Sequence, residues 1–480
     1  MTYLSVILAY LFALIAIGIV KSRKIHTQSD FALAGRALTP WVLVGTMLAS
    51  WIGTGSILGN AGKTYETGMA ALMLPIGSIL GIIILTRIAG KVRSYEKYTV
   101  PEIIGDRYGP VARNLSVFAL VMAYMVIVSY QYNAGGAVLY TVLADNTGTS
   151  IISIELATII AAVFIIAYTM LAGLLSVAYT DAANSIIMTL ALVISLPILW
   201  IKAGSWSGME TAFAAMNKSQ HMQFGGVYST MDIINFCLPP FLLVIGDANM
   251  YQRFSASKDV QSARYSTTIL VFAVLFIELL IIASAWVSSS MIPEAEVGKH
   301  VLIYAAHQFL PTFLGAIMLT TIVGIIISTA DSFLLVPANT LIRDIYLNYI
   351  NPQASEKNIV RLSRLLVLLL GIIAYIVSIG FSRSAGFFER ALYAYTIYGA
   401  AITPALVAAL FWKGATKEGA VSSIICGILV TLFWKELPGL WLWLPTEWYI
   451  SLDEVLPAIS GSLLALICVS YLTQKADPGK

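Results

Sequence analysis

Oxygen-bearing side chains set inside apolar sequence are the groups from which any chemistry in this chain has to be built. The densest set is Ser328-Thr329-Ala330-Asp331-Ser332, which follows Gly324-Ile325-Ile326-Ile327. Residues three and four apart share a helix face. Ser328, Asp331 and Ser332 therefore form one stripe, with Ile325 below it and Thr329 beside it. Hydroxyls and a carboxylate offer oxygen ligands alone, which hard cations prefer, and so little formal charge suits a monovalent ion. Hydroxyls also bond back to carbonyls of their own helix; that explains the serines and the threonine but not Asp331.

A second set is Trp51-Ile52-Gly53-Thr54-Gly55-Ser56, in the middle of the apolar run 41–60. Gly costs about 1 kcal/mol against Ala inside a helix, so the helix is expected to break near Gly53. Backbone that leaves a helix in a bilayer must be buried in protein or line a wet cavity. Its freed carbonyls are then placed to hold a cation. The competing account is a small-residue face that lets a neighbouring helix approach.

Asp181, Asp247 and Glu278 join Asp331 as carboxylates within apolar stretches. Such charges are costly at membrane depth, and each is a functional candidate for that reason. Asp181 lies near a span end, where solvation or capping would also explain it. For Glu278 a structural pairing and a functional role stand equal. Enzyme chemistry is not legible: there is no Gly-x-x-x-x-Gly-Lys-Ser/Thr loop, no Gly-x-Ser-x-Gly elbow and no His-Glu-x-x-His. The four histidines are scattered, without metal-ligand spacing, and Cys237, Cys426 and Cys468 read as small buried hydrophobes.

The elements that must position these groups are membrane helices. The 480 residues have a mean hydropathy of +0.84 and are 59% hydrophobic and 11% charged, where soluble domains average about 25% charged. A span needs about 20 apolar residues. Thirteen candidates satisfy this: 3–20, 40–60, 68–89, 113–141, 151–172, 176–201, 229–252, 266–290, 311–342, 359–380, 386–411, 418–434 and 449–472. The first is followed by Lys21-Ser22-Arg23-Lys24 and no cleavage site, so it reads as retained. Of the 28 Lys and Arg, all but Lys63, Lys202, Lys218, Lys299, Arg383, Arg390 and Lys435 fall on one side. That asymmetry puts the N-terminus outside and the C-terminus inside, as an odd number of spans requires. Trp200, Trp206, Trp434, Trp441, Trp443 and Trp448 read as interface anchors.

A second interruption is expected at 229–252, where Pro239 and Pro240 remove helix donors and Gly246-Asp247-Ala248-Asn249 follows. With 3–20 set aside, 40–60 is first of ten spans and 229–252 is sixth. Interrupted spans in matching positions of two halves are the sequence pointer to a transporter's binding site.

These residues resemble the sodium/solute symporter family over about 30–435. The resemblance rests on Ala34-Gly35-Arg36, the run Tyr168-Thr169-Met170-Leu171-Ala172-Gly173 through Tyr179-Thr180-Asp181, Tyr251-Gln252-Arg253, Ser328-Thr329-Ala330-Asp331-Ser332, and Pro404 through Phe411-Trp412-Lys413 to Gly419-Ala420. It implies an all-α polytopic membrane protein with a LeuT-type five-plus-five inverted repeat. The layout would be a leading helix at 3–20, repeats at 40–201 and 229–411, and two trailing helices within 418–472. It also implies sodium as coupling ion, held by carbonyls of Ala49, Ile52 and Ile325 and hydroxyls of Ser328 and Thr329. Some members carry a second sodium on the equivalents of Asp181, Ser328, Asp331 and Ser332; here Asp331 stands where a serine is expected. Substrate candidates are Trp51, Gly53, Thr54, Ser56, Met73, Gln131, Asn133, Asp247 and Met250, with Tyr393 and Tyr398 as a lid.

The resulting expectation is a multi-pass cell-membrane symporter, functional as a monomer, importing a small organic solute by alternating access. Asp247 would pair with the ammonium of a cationic or zwitterionic solute such as an amino acid. No organic cofactor and no nucleic-acid partner is expected. The alternatives are proton coupling on the same fold through Asp181, Asp247 or Asp331, and a membrane sensor or channel.

Overall fold

The computed structural model describes residues 2–22, 25–144, 150–294, 298, 300–381, 386–434 and 452–474. Trp441, Trp443 and Trp448 lie outside them. The leading helix α1 (Thr2–Ser22) precedes a short capped turn in which Thr27 accepts from the Asp30 amide. Pro40 then opens α2 (Pro40–Trp51), at a position where its missing donor would be an orphan anyway. α2 stops at Trp51, and Ile52 leaves helical geometry with φ −76° and ψ 86°. Helix resumes over Gly55–Asn60 and Ala61–Thr67, bent 51° from α2. The break expected near Gly53 is therefore present, and it is the centre from which the remaining helices are most simply described.

α3 (Ile76–Ser94) and α4 (Pro110–Val142) follow, and then α5 (Ile154–Lys202), which is two rods joined at Gly173. Gly173 has φ +56°, and a Cβ there would meet Ile25 at 2.8 Å and Phe31 at 3.1 Å, so the kink needs glycine twice over.

The second interrupted span consists of α6 (Thr230–Gly246) and α7 (Ala248–Ala256). Here the structure corrects the sequence reading. α6 runs unbroken through Pro239 and Pro240, and the helix parts at Asp247. Prolines are tolerated inside membrane spans more readily than in soluble helices.

α8 (Val260–Ser289), α9 (Thr312–Thr340), α10 (Glu356–Phe381), α11 (Phe387–Ala401), α12 (Thr403–Phe411), α13 (Lys417–Phe433) and α14 (Val455–Thr473) complete the chain. Among the described residues eight helices are long and apolar enough to cross a membrane, or nine with the bent pair around Gly53 as one span. α2 packs on α5 and α8, and α9 packs on α4 and α5. α13 and α14 pack on each other and against α11. The outer faces carry the exposed large apolar residues expected of a lipid-facing bundle, such as Phe272 on α8 and Ile376 on α10. Trp434 is buried, with Nε1 donating to Leu452 O at 3.0 Å, and so does not act as an interface anchor. Cys468 is exposed, not buried.

Candidate functional site

Three sets of polar groups meet around the two breaks. The first lies where α9 crosses the end of α2. The Thr329 hydroxyl donates to Ala49 O at 3.3 Å. A Cβ on Gly53 would stand 2.9 Å from both Thr329 Oγ1 and Cγ2, so glycine is what lets the break sit against this threonine. Ala49, Ile52, Ile325, Ser328 and Thr329 are all buried here.

The second set is a charged cluster between α2, α5, α7 and α9. The Asp181 side chain is fully buried, which rules out the solvated role, and it lies inside the second rod of α5 and not at its start, which rules out capping. Its Oδ2 accepts from Thr46 at 2.6 Å and its Oδ1 from Ser328 at 2.5 Å. Arg253 Nη2 stands 3.6 Å from Asp181 Oδ2, with both side chains at 0% exposure. The same guanidinium donates to Thr46 at 3.1 Å and to Ser332 at 2.7 Å. Ser332 in turn donates to Asp331 Oδ1 at 3.3 Å. Two carboxylates and one guanidinium therefore share one buried site. Buried charges persist where they are paired and hydrogen-bonded. Arg253 has no assigned role in the sequence motif Tyr251-Gln252-Arg253; the signal for one is a cation in the short polar helix directly after a buried aspartate.

The third set holds the second break. The Tyr398 hydroxyl donates to Gly246 O at 2.8 Å and accepts from the Ala248 amide at 3.1 Å. It clamps the break and does not stand over it as a lid. Asp247 Oδ1 accepts from the Asn249 amide at 3.2 Å and from the Tyr124 hydroxyl at 2.5 Å. Asp247 is thus the N-cap of α7.

A cleft opens on the Asn60 side of the first break, about 440 Å³ with its open mouth, between Trp51, Ser56, Phe236, Glu278, Phe388 and Tyr395. Of the expected substrate residues, Trp51 and Ser56 line it. Thr54 donates to Gln131 Oε1 behind the break, and Gln131 Nε2 is buried without a hydrogen-bond partner. Asn133 turns away from the cleft and donates to Ser378 O on α10 at 3.4 Å. Met73 O receives the Cys237 thiol at 3.7 Å, Met250 is fully buried, and Tyr393 is half-buried on α11. Asp247 and Met250 do not line this cleft.

On the Pro40 side of the molecule ion pairs gather instead, around a recess lined by Glu102, Asp106, Arg113 and Arg343. Arg113 Nε lies 3.7 Å from Asp344 Oδ1, and Arg343 Nη2 lies 3.4 Å from Glu102 Oε1. The Thr99 hydroxyl donates to Asp344 Oδ2 at 2.6 Å.

Residues 31–427 match the sodium:solute symporter family, most of the chain including both breaks and the Ser328–Ser332 stripe. The chain belongs to the sodium:solute symporter family. It is a sodium-coupled carrier of a small organic solute in the plasma membrane, and not an enzyme. Among curated relatives, the sodium/proline symporter of Haemophilus influenzae is 26% identical, covering 98% of this chain and 94% of its own. The osmoregulated proline transporter of Bacillus subtilis is 25% identical over 97% and 94% of the two chains. Among solved structures, a Na+-coupled sialic acid symporter in a substrate-bound outward-open state superposes with a TM-score of 0.81. It has 16% identity and covers 99% of both chains. MhsT in complex with L-phenylalanine gives 0.53 at 12% identity, over 90% and 97%. These likenesses at low identity establish the fold.

Proposed function

We propose that this symporter imports a small zwitterionic solute of the proline class, with sodium held between the first break and α9. The observation that carries the sodium reading is the Thr329 hydroxyl on Ala49 O, with Ser328 one residue away and Gly53 making the approach possible. An ion there, ligated by carbonyls of Ala49, Ile52 and Ile325 and hydroxyls of Ser328 and Thr329, ties α2 to α9. It thereby favours one posture of the bundle. The amino-acid class is supported by relatives whose names specify proline.

In this reading thirteen spans run from an outer N-terminus to an inner C-terminus. The five-helix repeats are 40–201 and 229–411, and the unit works as a monomer. The cleft then faces outward and the ion pairs close the inner end. A second cation at Asp181, Ser328, Asp331 and Ser332 would share its site with Arg253, whose charge already offsets one carboxylate. One coupled sodium is the stoichiometry this favours. Each charge crossing about 100 mV supplies about 2.3 kcal/mol, roughly 40-fold accumulation.

The test is thermal unfolding in detergent, in sodium against potassium. A ligand specific to the folded state raises its stability. Sodium is expected to raise the transition temperature, L-proline to raise it further in sodium alone, and Ser328→Ala and Thr329→Ala to abolish the sodium effect. Equal stability in the two salts, with a pH dependence removed by Asp331→Asn or Asp181→Asn, would replace sodium by proton coupling.

A further inference from the structure

Glu278 is the one carboxylate within the apolar stretches still without a role. It sits on α8 at the base of the cleft, 2% exposed. Each of its oxygens holds one neutral donor. Ser56 reaches Oε1 at 2.5 Å, and Asn60 Nδ2 reaches Oε2 at 3.0 Å. No Lys, Arg or His stands within ion-pair distance of it among the described residues. A buried carboxylate without a cation is costly, and this one borders a cleft, so the missing charge can enter from outside. The walls say what kind of cation fits. Trp51 and Tyr395 stack with centroids 6.4 Å apart, and Phe236 meets Phe388 edge-on at 5.3 Å. Aromatic faces attract ammonium groups, whereas a bare sodium ion needs a shell of oxygens. The opposite charge is also present. Lys63 Nζ lies 5.5 Å and 5.9 Å from the ring centroids of Phe236 and Phe388, and holds Glu66 at 2.9 Å near the surface.

We propose that Glu278, braced by Ser56 and Asn60, binds the ammonium of an incoming zwitterion in the cleft, while Lys63 receives its carboxylate at the mouth. This rests on the amino-acid reading above and deepens it. It moves the amine contact from Asp247, whose carboxylate is occupied in capping α7, to α8 and the far arm of the first break.

The test is binding of L-proline, prolinamide and tetrahydrofuran-2-carboxylate to the purified protein in sodium. The second probe lacks the carboxylate and the third lacks the amine charge. Wild type is expected to bind proline best and the oxygen analogue least. Glu278→Gln keeps shape and removes charge, so it should weaken proline and prolinamide by about 30-fold or more, the scale for unpairing a buried charge. Lys63→Met should weaken proline and leave prolinamide unchanged. The sodium-dependent thermal shift reports folding and the ion site, and Glu278→Gln should retain it. Unchanged proline affinity in Glu278→Gln, or tighter binding of the oxygen analogue than of proline by wild type, overturns the proposal while leaving the sodium site intact. Loss of the sodium shift in Glu278→Gln overturns it differently, by making Glu278 an ion ligand. Ser56→Ala, which removes the brace and not the charge, should show a smaller loss in the same direction.

Discussion

Arg253 is the residue on which the interior charge balance turns. It is fully buried and bridges Asp181, Thr46 and Ser332. Removing one partner of a buried pair leaves the other uncompensated, typically at about 3–5 kcal/mol. Arg253→Met is expected to destabilise the protein on that scale in unfolding experiments. Adding Asp331→Asn, which deletes one of the two carboxylates, should recover part of the loss. Additive effects of the two changes would show that Asp331 and Arg253 are independent. Sequence alone could flag Asp181 and Asp331, because a charge in an apolar run stands out. It could not flag that Arg253 pairs with Asp181 and shares Ser332 with Asp331, since these residues come from distant spans and sit in separate motifs. Asp247 shows the reverse error. Its type and depth were legible, yet its task is local: it caps the helix that begins beside it.

Among the elements, the two broken helices differ in what breaks them. At the first, the break falls beside Gly53, and it was legible because two glycines close together in an apolar run weaken the helix there. At the second, the interruption expected within 229–252 is present, and of its two signals Gly246-Asp247, not Pro239-Pro240, marks the place. That helix stays whole through both prolines, and Gly246-Asp247 parts it. A proline deletes donors, but the surroundings decide whether the helix must then open. The close crossing at Gly53 yields its own prediction. Gly53→Ala places a methyl 2.9 Å from Thr329 Oγ1 and Cγ2 and 3.4 Å from Gln131 Nε2. The substitution should abolish the sodium-dependent thermal shift and sodium-driven uptake, while the protein still purifies as a folded species. A retained shift would show that Thr329 moves aside at no cost and that the ion does not depend on this contact.

At the level of the molecule, the helical membrane architecture and the family were legible from composition and five motifs, because hydropathy and motif order survive when contacts are unknown. The cleft was not, because its walls come from five segments that share no pattern. Its ends are also held by different forces. Rings and apolar side chains line the open end, while Asp344, Arg113, Arg343 and Glu102 gather at the other. Asp344→Asn keeps the Thr99 hydrogen bond and removes the charge facing Arg113. In a protein freed of its own three cysteines, it should speed labelling of a cysteine placed at Thr340, which is buried on α9 beside that network. An unchanged labelling rate would mean that packing, and not the ion pairs, keeps this end shut.

The contrast between the two ends reaches beyond the protein to the fluids it separates. Partly exposed ion pairs such as Arg343–Glu102 are weakened by dissolved salt, which screens charges over about 8 Å at physiological ionic strength. Ring-on-ring contacts barely respond. The end held by Arg343–Glu102 therefore answers to the ionic strength of the compartment it faces. With the orientation proposed above, a cell that concentrates electrolyte during osmotic stress would loosen the charged latch from within, easing release of cargo on the side where solute is then needed.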